Sequence, residues 1–452
     1  MGLFDELMTS ARLRDAAAAS LLVVMAALAV LNGVGTPLPA WPAGVAAWGA
    51  AILLWPKLDR RQRRLVGLLI AIGVLALCWS TVRGAPAYWL GALTQNNALL
   101  GMLVGVSFLQ LLSLANATES LPKGRRALWQ TLLATHFLGA AINLSAVFMI
   151  ADRIGPKGVP RGEQAALLVR SFLSAAMWSP FFAAVAVAIT YAPGASLAGV
   201  LAWGLPFAVL LLVLAGRRLE RELPEGGREF VGYPMRPGAL AAPLVLAVGV
   251  GLMHLWFPSW SALAIITIVA PLIAVVATLW HKIAVVATLW RSGLFAGTDR
   301  VVQQARSRLP AMSGELALFL AAAVFASGLR SLMASTSLGM PFDSVGPLQA
   351  ALLLALMIGF AMIGIHAVIS ISIVSAWTAP LSPDPVLMAT VYCMSWAIGL
   401  AVSPLSGIHL ALQGRYGLSA VSLARLNAKY GLMAYGLAAL WLLAIGAWRG
   451  LL

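Results

Sequence analysis

Long stretches without a single charge, separated by short loops rich in Arg and Lys, recur along the whole chain; Ala16–Leu31 and Ala195–Ala215 are two of them. A helix rises 1.5 Å per residue, so about 20 apolar residues cross the roughly 30 Å hydrocarbon core of a bilayer. Inside lipid every backbone N–H and C=O must find a partner within the protein, which leaves helices as the structure for runs of this length. Composition agrees, with 61% of the 452 residues hydrophobic and 10% charged, against roughly 25% charged in a soluble domain. The expected fold class is an all-α polytopic membrane protein whose partner is the lipid bilayer.

The net charge of +15 comes from 30 Lys+Arg against 15 Asp+Glu. Because the basic residues sit in loops between apolar spans, they read as the positive-inside signal, and no nucleic-acid partner is expected. Cys78 and Cys393 lie in apolar runs without metal-ligand spacing, so no disulfide framework and no metal site is expected. The N-terminal MGLFDELMTSARLRD has acidic residues and no cleavage signature. It is expected to be retained as a short amphipathic helix at the cytoplasmic surface, with Leu3, Phe4, Leu7 and Met8 on one face.

Placing the basic loops inside orders the spans. Spans are expected at 16–36, 43–56, 65–82 and 97–115, with Lys57–Arg64 and Lys123–Arg126 cytoplasmic. The apolar stretch 127–150 then has basic residues on both flanks, Arg125 and Arg126 before it and Arg153, Lys157 and Arg161 after it. A helical hairpin entering and leaving on the cytoplasmic side satisfies both flanks, with its tip near Gly139–Ser145. Spans at 164–192 and 195–216 lead to the charged linker 217–237, followed by spans at 238–256, 259–280 and 313–332. A second basic loop carries Arg291, Arg300, Arg306 and Arg308. The stretch 347–377 mirrors the first hairpin, because its flanks carry Asp343 and Asp384 and no basic residue. It reads as a hairpin entering from outside, with its tip near Gly364–His366. Spans at 386–413 and 427–448 complete about eleven transmembrane helices plus two re-entrant hairpins, in two inverted-topology repeats. The expected organisation is 1–42 as the N-terminal segment and first span, 43–216 as the first repeat, 217–237 as the cytoplasmic linker and 238–452 as the second repeat. The N-terminus is expected in the cytoplasm and the C-terminus outside, in the inner (cytoplasmic) membrane. The octapeptide IAVVATLW occurs at 273–280 and again at 283–290; this is too short for a solenoid repeat, and no function is read from it.

Both hairpins keep similar company. INLSAVFMI (142–150) precedes SAAMWSPFFAAVAVAITYAPG (174–194), and IGIHAVISI (363–371) precedes SWAIGLAVSPLSGIHLALQGRYG (395–417). Pairing Ala146-Val147 with Ala367-Val368, and Ser179-Pro180 with Ser403-Pro404, gives spacings that agree within three residues. A proline inside a helix removes a hydrogen bond and clashes with the preceding turn, so each Ser-Pro marks a break. Breaks at matching depth in opposed halves would present carbonyls and half-helix ends to ions and substrate groups at mid-membrane, the pattern of a secondary-transporter site.

Inverted repeats, one cytoplasmic and one external hairpin, and a broken helix after each resemble, over most of the chain, the ion transporter superfamily, the group of arsenite permeases, citrate–metal symporters and divalent-anion/sodium symporters. Ser403-Pro404-Leu405-Ser406-Gly407 also resembles the broken-helix motif of citrate-type members. The resemblance implies a homodimer with a scaffold and a mobile transport unit working by an elevator-like movement. Where sodium-coupled dicarboxylate members carry Ser-Asn-Thr at both tips, this chain reads Ile142-Asn143-Leu144-Ser145 and Gly364-Ile365-His366.

The candidate binding residues are therefore Asn143 and Ser145, Ser179 and Pro180, Gly364 and His366, and Ser403, Pro404, Ser406 and His409. Acidic residues are nearly absent from the spans; Glu315, near the start of one, reads as a helix cap. His366 and His409 are the titratable groups near the expected centre, apart from Cys393 on its approach. Each fits either a coupled proton, a positive charge for an anion, or a hydrogen bond between helices. His136 reads as structural. Trp178, Phe181, Phe182 and Trp396 fit either helix packing or a pocket for an apolar body. Arg170 and Arg330, at span ends, fit either anion steering or snorkelling to the interface. Carboxylate pairs, HExxH, GxSxG and phosphate-binding glycine loops are missing, so no enzyme and no cofactor is expected. The leading expectation is a secondary active transporter of a small organic anion coupled to H+ or Na+, and the alternative a flippase or exporter of a lipid-linked or amphiphilic molecule.

Overall fold

The computed structural model describes residues 2–112, 121–235, 241–286, 295–336 and 341–451. The second copy of IAVVATLW ends outside these segments, at 287–290, and so does the start of the 238–256 span. The described chain is helical: α1 (Gly2–Gly33), α2 (Trp41–Leu54), α3 (Arg60–Val82), α4 (Trp89–Thr94), α5 (Asn97–Ser107), α6 (Arg125–Ile142), α7 (Leu144–Ile154), α8 (Gly162–Ser174), α9 (Ala183–Tyr191) and α10 (Leu197–Glu222). Then follow α11 (Ala241–Trp256), α12 (Ala262–Val286), α13 (Phe295–Arg308), α14 (Ser313–Ser335), α15 (Pro347–Met362), α16 (Ala367–Thr378), α17 (Pro385–Val402), α18 (Gly407–Tyr416) and α19 (Ala420–Arg449). Among the described residues, seven helical stretches are long and apolar enough to cross a membrane, as a polytopic membrane protein requires.

Local chemistry sets many of the ends. Asp59 accepts the amides of Arg61 and Gln62 while Gln62 reaches back to the Asp59 amide, a reciprocal cap that starts α3. Ser196, Asp384, Ser406 and Ser419 cap α10, α17, α18 and α19 in the same general way. Three boundaries differ from the sequence reading. The N-terminal segment forms no separate surface helix, because no proline or interior glycine interrupts residues 3–32 and α1 runs unbroken into the first span. The linker starts as helix, since α10 continues through Arg217–Arg221, where Arg218 and Glu222 pair at 2.8 Å. In the expected basic loop before 313, Phe295–Arg308 is helical, as α13.

The chain divides into two compact units, each drawing on both halves of the sequence: Met1–Ser113 with Leu246–Gly339, and Leu114–Val245 with Met340–Leu452. In the first, α3 lies along α14, and α5 packs on α1 and α12. Gly73 and Gly328 sit at the α3–α14 crossing, where a Cβ on Gly73 would lie 2.5 Å from the Val324 carbonyl oxygen. Small residues let backbones approach this closely in apolar surroundings. The α4–α5 break is held by Asn96, which donates to the Phe319 carbonyl at 2.6 Å, and Asn97, which donates to that of Ala40 at 2.9 Å.

The second unit is built around α17, in which every residue from Val386 to Val402 is buried. It packs against α8, α9, α10, α15, α16 and α19. Here α6 and α7 form one hairpin and α15 and α16 another, and in each the two open ends come together. Lys123 pairs with Val231, while the Gln164 side chain bonds both Val231 and Ile154, so both ends of the first hairpin meet one segment. At the second, the rings of Phe342 and Trp377 lie 6.2 Å apart. Helix α19, about 45 Å long at 1.5 Å per residue, connects these two places. Its first turns meet Gly162 and Arg170, and its last turn meets Pro347 and Asp384. The hairpins therefore open at opposite ends of α19.

Candidate functional site

All ten candidate residues fall in the second unit. The expected span 164–192 is broken as α8, a short turn at Ala175–Met177, and α9, and the expected span 386–413 as α17 and α18. At both breaks a Ser-Pro pair organises the backbone. The Ser179 hydroxyl accepts the Phe181 amide at 3.3 Å and the Ser179 carbonyl accepts the Phe182 amide at 3.0 Å. The Ser403 hydroxyl accepts the Leu405 amide at 3.3 Å and the Ser403 carbonyl accepts the Ser406 amide at 3.3 Å. These are the same two bonds at the same two offsets. Serine followed by proline favours this turn, because proline presets φ and the hydroxyl reaches the amide two residues on. Pro180 and Pro404 also leave the carbonyls four residues earlier without a helical donor. Each break thus presents a helix C-terminus and, at Ala183 or Gly407, a helix N-terminus, with partial charges of opposite sign.

Each break receives a hairpin tip. Asn143 is the turn between α6 and α7, at φ 56° and ψ −142°. An asparagine in this sparsely allowed region costs about 1–3 kcal/mol. Ser145, half-buried, lies in the first turn of α7. Three residues before Asn143, the Ala140 carbonyl accepts the Ser179 hydroxyl at 2.6 Å, fixing the first tip to the first break. At the second tip Gly364 has φ +91°, and a Cβ there would lie 2.3 Å from Leu405 Cδ1, so this tip rests on the second break. His366 caps α16, accepting the Val368 amide on Nδ1 at 3.3 Å, with its ring edge-on to Trp396 at 5.5 Å. Helix α17 packs against the Ala175–Met177 turn as well as α15 and α16, so both tip–break pairs share it.

Two further contacts repeat the arrangement crosswise. The Ser375 hydroxyl on α16 donates to the Tyr191 carbonyl at the end of α9 at 2.7 Å. Arg415 and Tyr416 at the end of α18 bind Asp152 on α7, at 2.8 Å and 2.6 Å. The outgoing arm of each hairpin is thereby tied to the half-helix that follows the other break.

The histidines differ in what they offer. His136 is buried; its Nδ1 lies 2.8 Å from the Ser174 hydroxyl and its Nε2 accepts Trp178 Nε1–H at 2.9 Å. Both nitrogens are used, and Trp178 is drawn into this bond beside the first break. His409 is shielded completely, and its Nδ1 lies 2.8 Å from the Ser403 carbonyl. Ser406 caps α18 by accepting the His409 amide at 3.4 Å.

Arg170 is held in a buried network. It is fully buried and donates to Asn427 at 2.7 Å, Glu222 at 3.0 Å and the Leu426 carbonyl at 3.1 Å, with the Tyr430 ring 5.1 Å from its guanidinium. A buried guanidinium must be paired and hydrogen-bonded, and here it ties α8 to α10 and α19. Asn427, an amide at the start of an expected span, was the sequence signal for this network. Among the described residues no three His, Cys, Asp or Glu side chains converge as a metal site would require.

No protein-family model matches the chain, and no curated protein sequence matches it. Among solved structures, the chain is similar to the crystal structure of the Alcanivorax borkumensis YdaH transporter, at 15% identity over 85% of this chain and 98% of that one, with a TM-score of 0.48.

Proposed function

We propose that the chain is a secondary active transporter of a small organic anion, coupled to H+ or Na+. One observation carries this reading: the Ser179 and Ser403 breaks have the same backbone hydrogen bonds, and each is met by the tip of its own hairpin. Paired half-helix ends of this kind suit an ion and an anionic group without any carboxylate, because amide and carbonyl dipoles supply both signs of partial charge. The binding group comprises Asn143, Ser145, Ser179, Pro180, Gly364, His366, Ser403, Pro404, Ser406 and His409. Opposed hairpins joined crosswise support an inverted repeat and alternating access of the elevator type, in which the unit bearing these residues moves as the transport unit. A homodimer, as the superfamily resemblance implies, and a place in the inner membrane belong to the same reading.

The test is gradient-driven uptake of radiolabelled carboxylates into liposomes holding the purified protein, with sodium and pH gradients imposed separately. Ser179→Leu and Ser403→Leu are each expected to reduce uptake by about tenfold or more, since each replaces a turn-forming hydroxyl with a bulky apolar group. Unchanged uptake in both variants refutes the site, and no gradient-driven uptake in wild-type protein refutes the function.

A further inference from the structure

His136, His366 and His409 are the histidines of this unit, and their hydrogen bonds assign each ring a different role. His136 has both nitrogens engaged, and His366 spends Nδ1 on the Val368 amide. In His409, Nδ1 faces a carbonyl, which only accepts, so Nδ1 carries the hydrogen and Nε2 of the neutral ring is a lone pair. That Nε2 is buried and has no hydrogen-bond partner among the described residues, in a side chain with no exposed surface. A buried acceptor without a partner is costly and calls for a reason.

Resting on the transporter reading above, we propose that His409 Nε2 is where the second break takes up a carboxylic acid together with one proton. A carboxylate alone would face the lone pair and be repelled. A proton alone would leave an unpaired imidazolium in apolar surroundings, which is expensive. Acid and proton together avoid both costs. The proton, drawn from bulk water, sits either on the ligand, as O–H donating to Nε2, or on the ring, as Nε2–H donating to the carboxylate. The two forms differ only in the position of that hydrogen, and a monocarboxylate in either form adds no net charge to the site. The Ser403 carbonyl favours this arrangement, since it holds Nδ1–H in place whichever way the proton lies.

Among the described residues no charged group on the elements packed around α18 bonds Nε2. Arg170 of α8 is committed to Glu222 and Asn427, and Asp152 of α7 to Arg415 and Tyr416. Arg425 and Lys429 of α19 are exposed, and neither bonds Nε2.

The test counts protons. Purified full-length protein in lipid nanodiscs is titrated calorimetrically with sodium acetate, succinate and benzoate at about pH 7.5, where all three are ionised, in phosphate and in Tris, whose protonation enthalpies differ. Wild-type protein is expected to take up about one proton per acid bound. His409→Asn keeps a donor near the Nδ1 position and removes Nε2, so binding is expected to weaken about tenfold or more. His409→Gln places near Nε2 an amide unable to accept the proton, so acid is expected to bind with about zero protons taken up. Thermal unfolding of each variant verifies folding. Binding to wild-type protein without proton uptake, wild-type affinity in folded His409→Asn, wild-type proton uptake in His409→Gln, or no binding of any of the three acids overturns the inference. Liposome uptake decides the transporter reading separately: gradient-driven uptake that is indifferent to His409 leaves transport standing, and removes this inference and His409 from the binding group.

Discussion

The two Ser-Pro breaks share their backbone bonds and differ in what surrounds them. Around Ser179 the polar groups close on one another: Ser179 donates to Ala140, Trp178 to His136, and the rings of Phe172 and Phe182 lie 4.9 Å apart. Around Ser403 the polar set is shifted onto the following half-helix, where Ser406 and His409 replace the apolar Phe182 and Val185 at the same offsets, and one ring nitrogen has no partner among the described residues. The difference teaches that one turn chemistry can serve two purposes. The first break is locked by its tip and by aromatic packing, while the second holds a buried acceptor with no partner among the described residues, which stability alone does not favour.

Four substitutions, read as shifts in the apparent stability of the detergent-solubilised protein, would break or sharpen this contrast. Gly364→Ala should have the largest effect, a loss of about 3 kcal/mol, because it combines a positive φ with a Cβ driven against Leu405. A neutral result would mean that the second tip does not rest on the second break. Ser179→Ala should cost about 2 kcal/mol, since a buried hydroxyl that donates to Ala140 and accepts from Phe181 is lost at once. Ser403→Ala should cost about 1 kcal/mol, the loss of the acceptor for the Leu405 amide. Equal losses at the two serines would erase the distinction between a locked and an open break. Asn143→Gly should have the smallest effect and the opposite sign, raising stability by up to about 1 kcal/mol by relieving the positive φ at the first tip. A decrease there would show that the asparagine side chain supports the tip, unlike its glycine counterpart.

The breaks and tips that carry the candidate residues were legible because their determinants are local. Ser179-Pro180 and Ser403-Pro404 break helices wherever they stand, and the tips fall where Asn143 and Gly364 interrupt apolar runs. The caps at Asp384 and Ser406 follow from the same short-range chemistry. Arg170 was not legible. Its position near a span end suits snorkelling equally well, and its partners Glu222 and Asn427 lie 52 and 257 residues away. The continuation of α10 to Glu222 was missed for a related reason: charge marks the end of a membrane span, while a helix ends only where its capping and propensity change.

By itself the sequence determined the class of the protein and the points at which two of its apolar helices break, since hydrophobicity, proline and charge act over one or two turns. Tertiary structure decided which helices share a unit, that one arginine is buried among four partners, and that His409 rather than His136 has a nitrogen unpaired among the described residues. In a membrane protein the outside is as apolar as the core, so hydrophobic periodicity does not tell a buried face from a lipid-facing one. That distinction comes from packing between segments far apart in the chain, and so does the chemistry of the site.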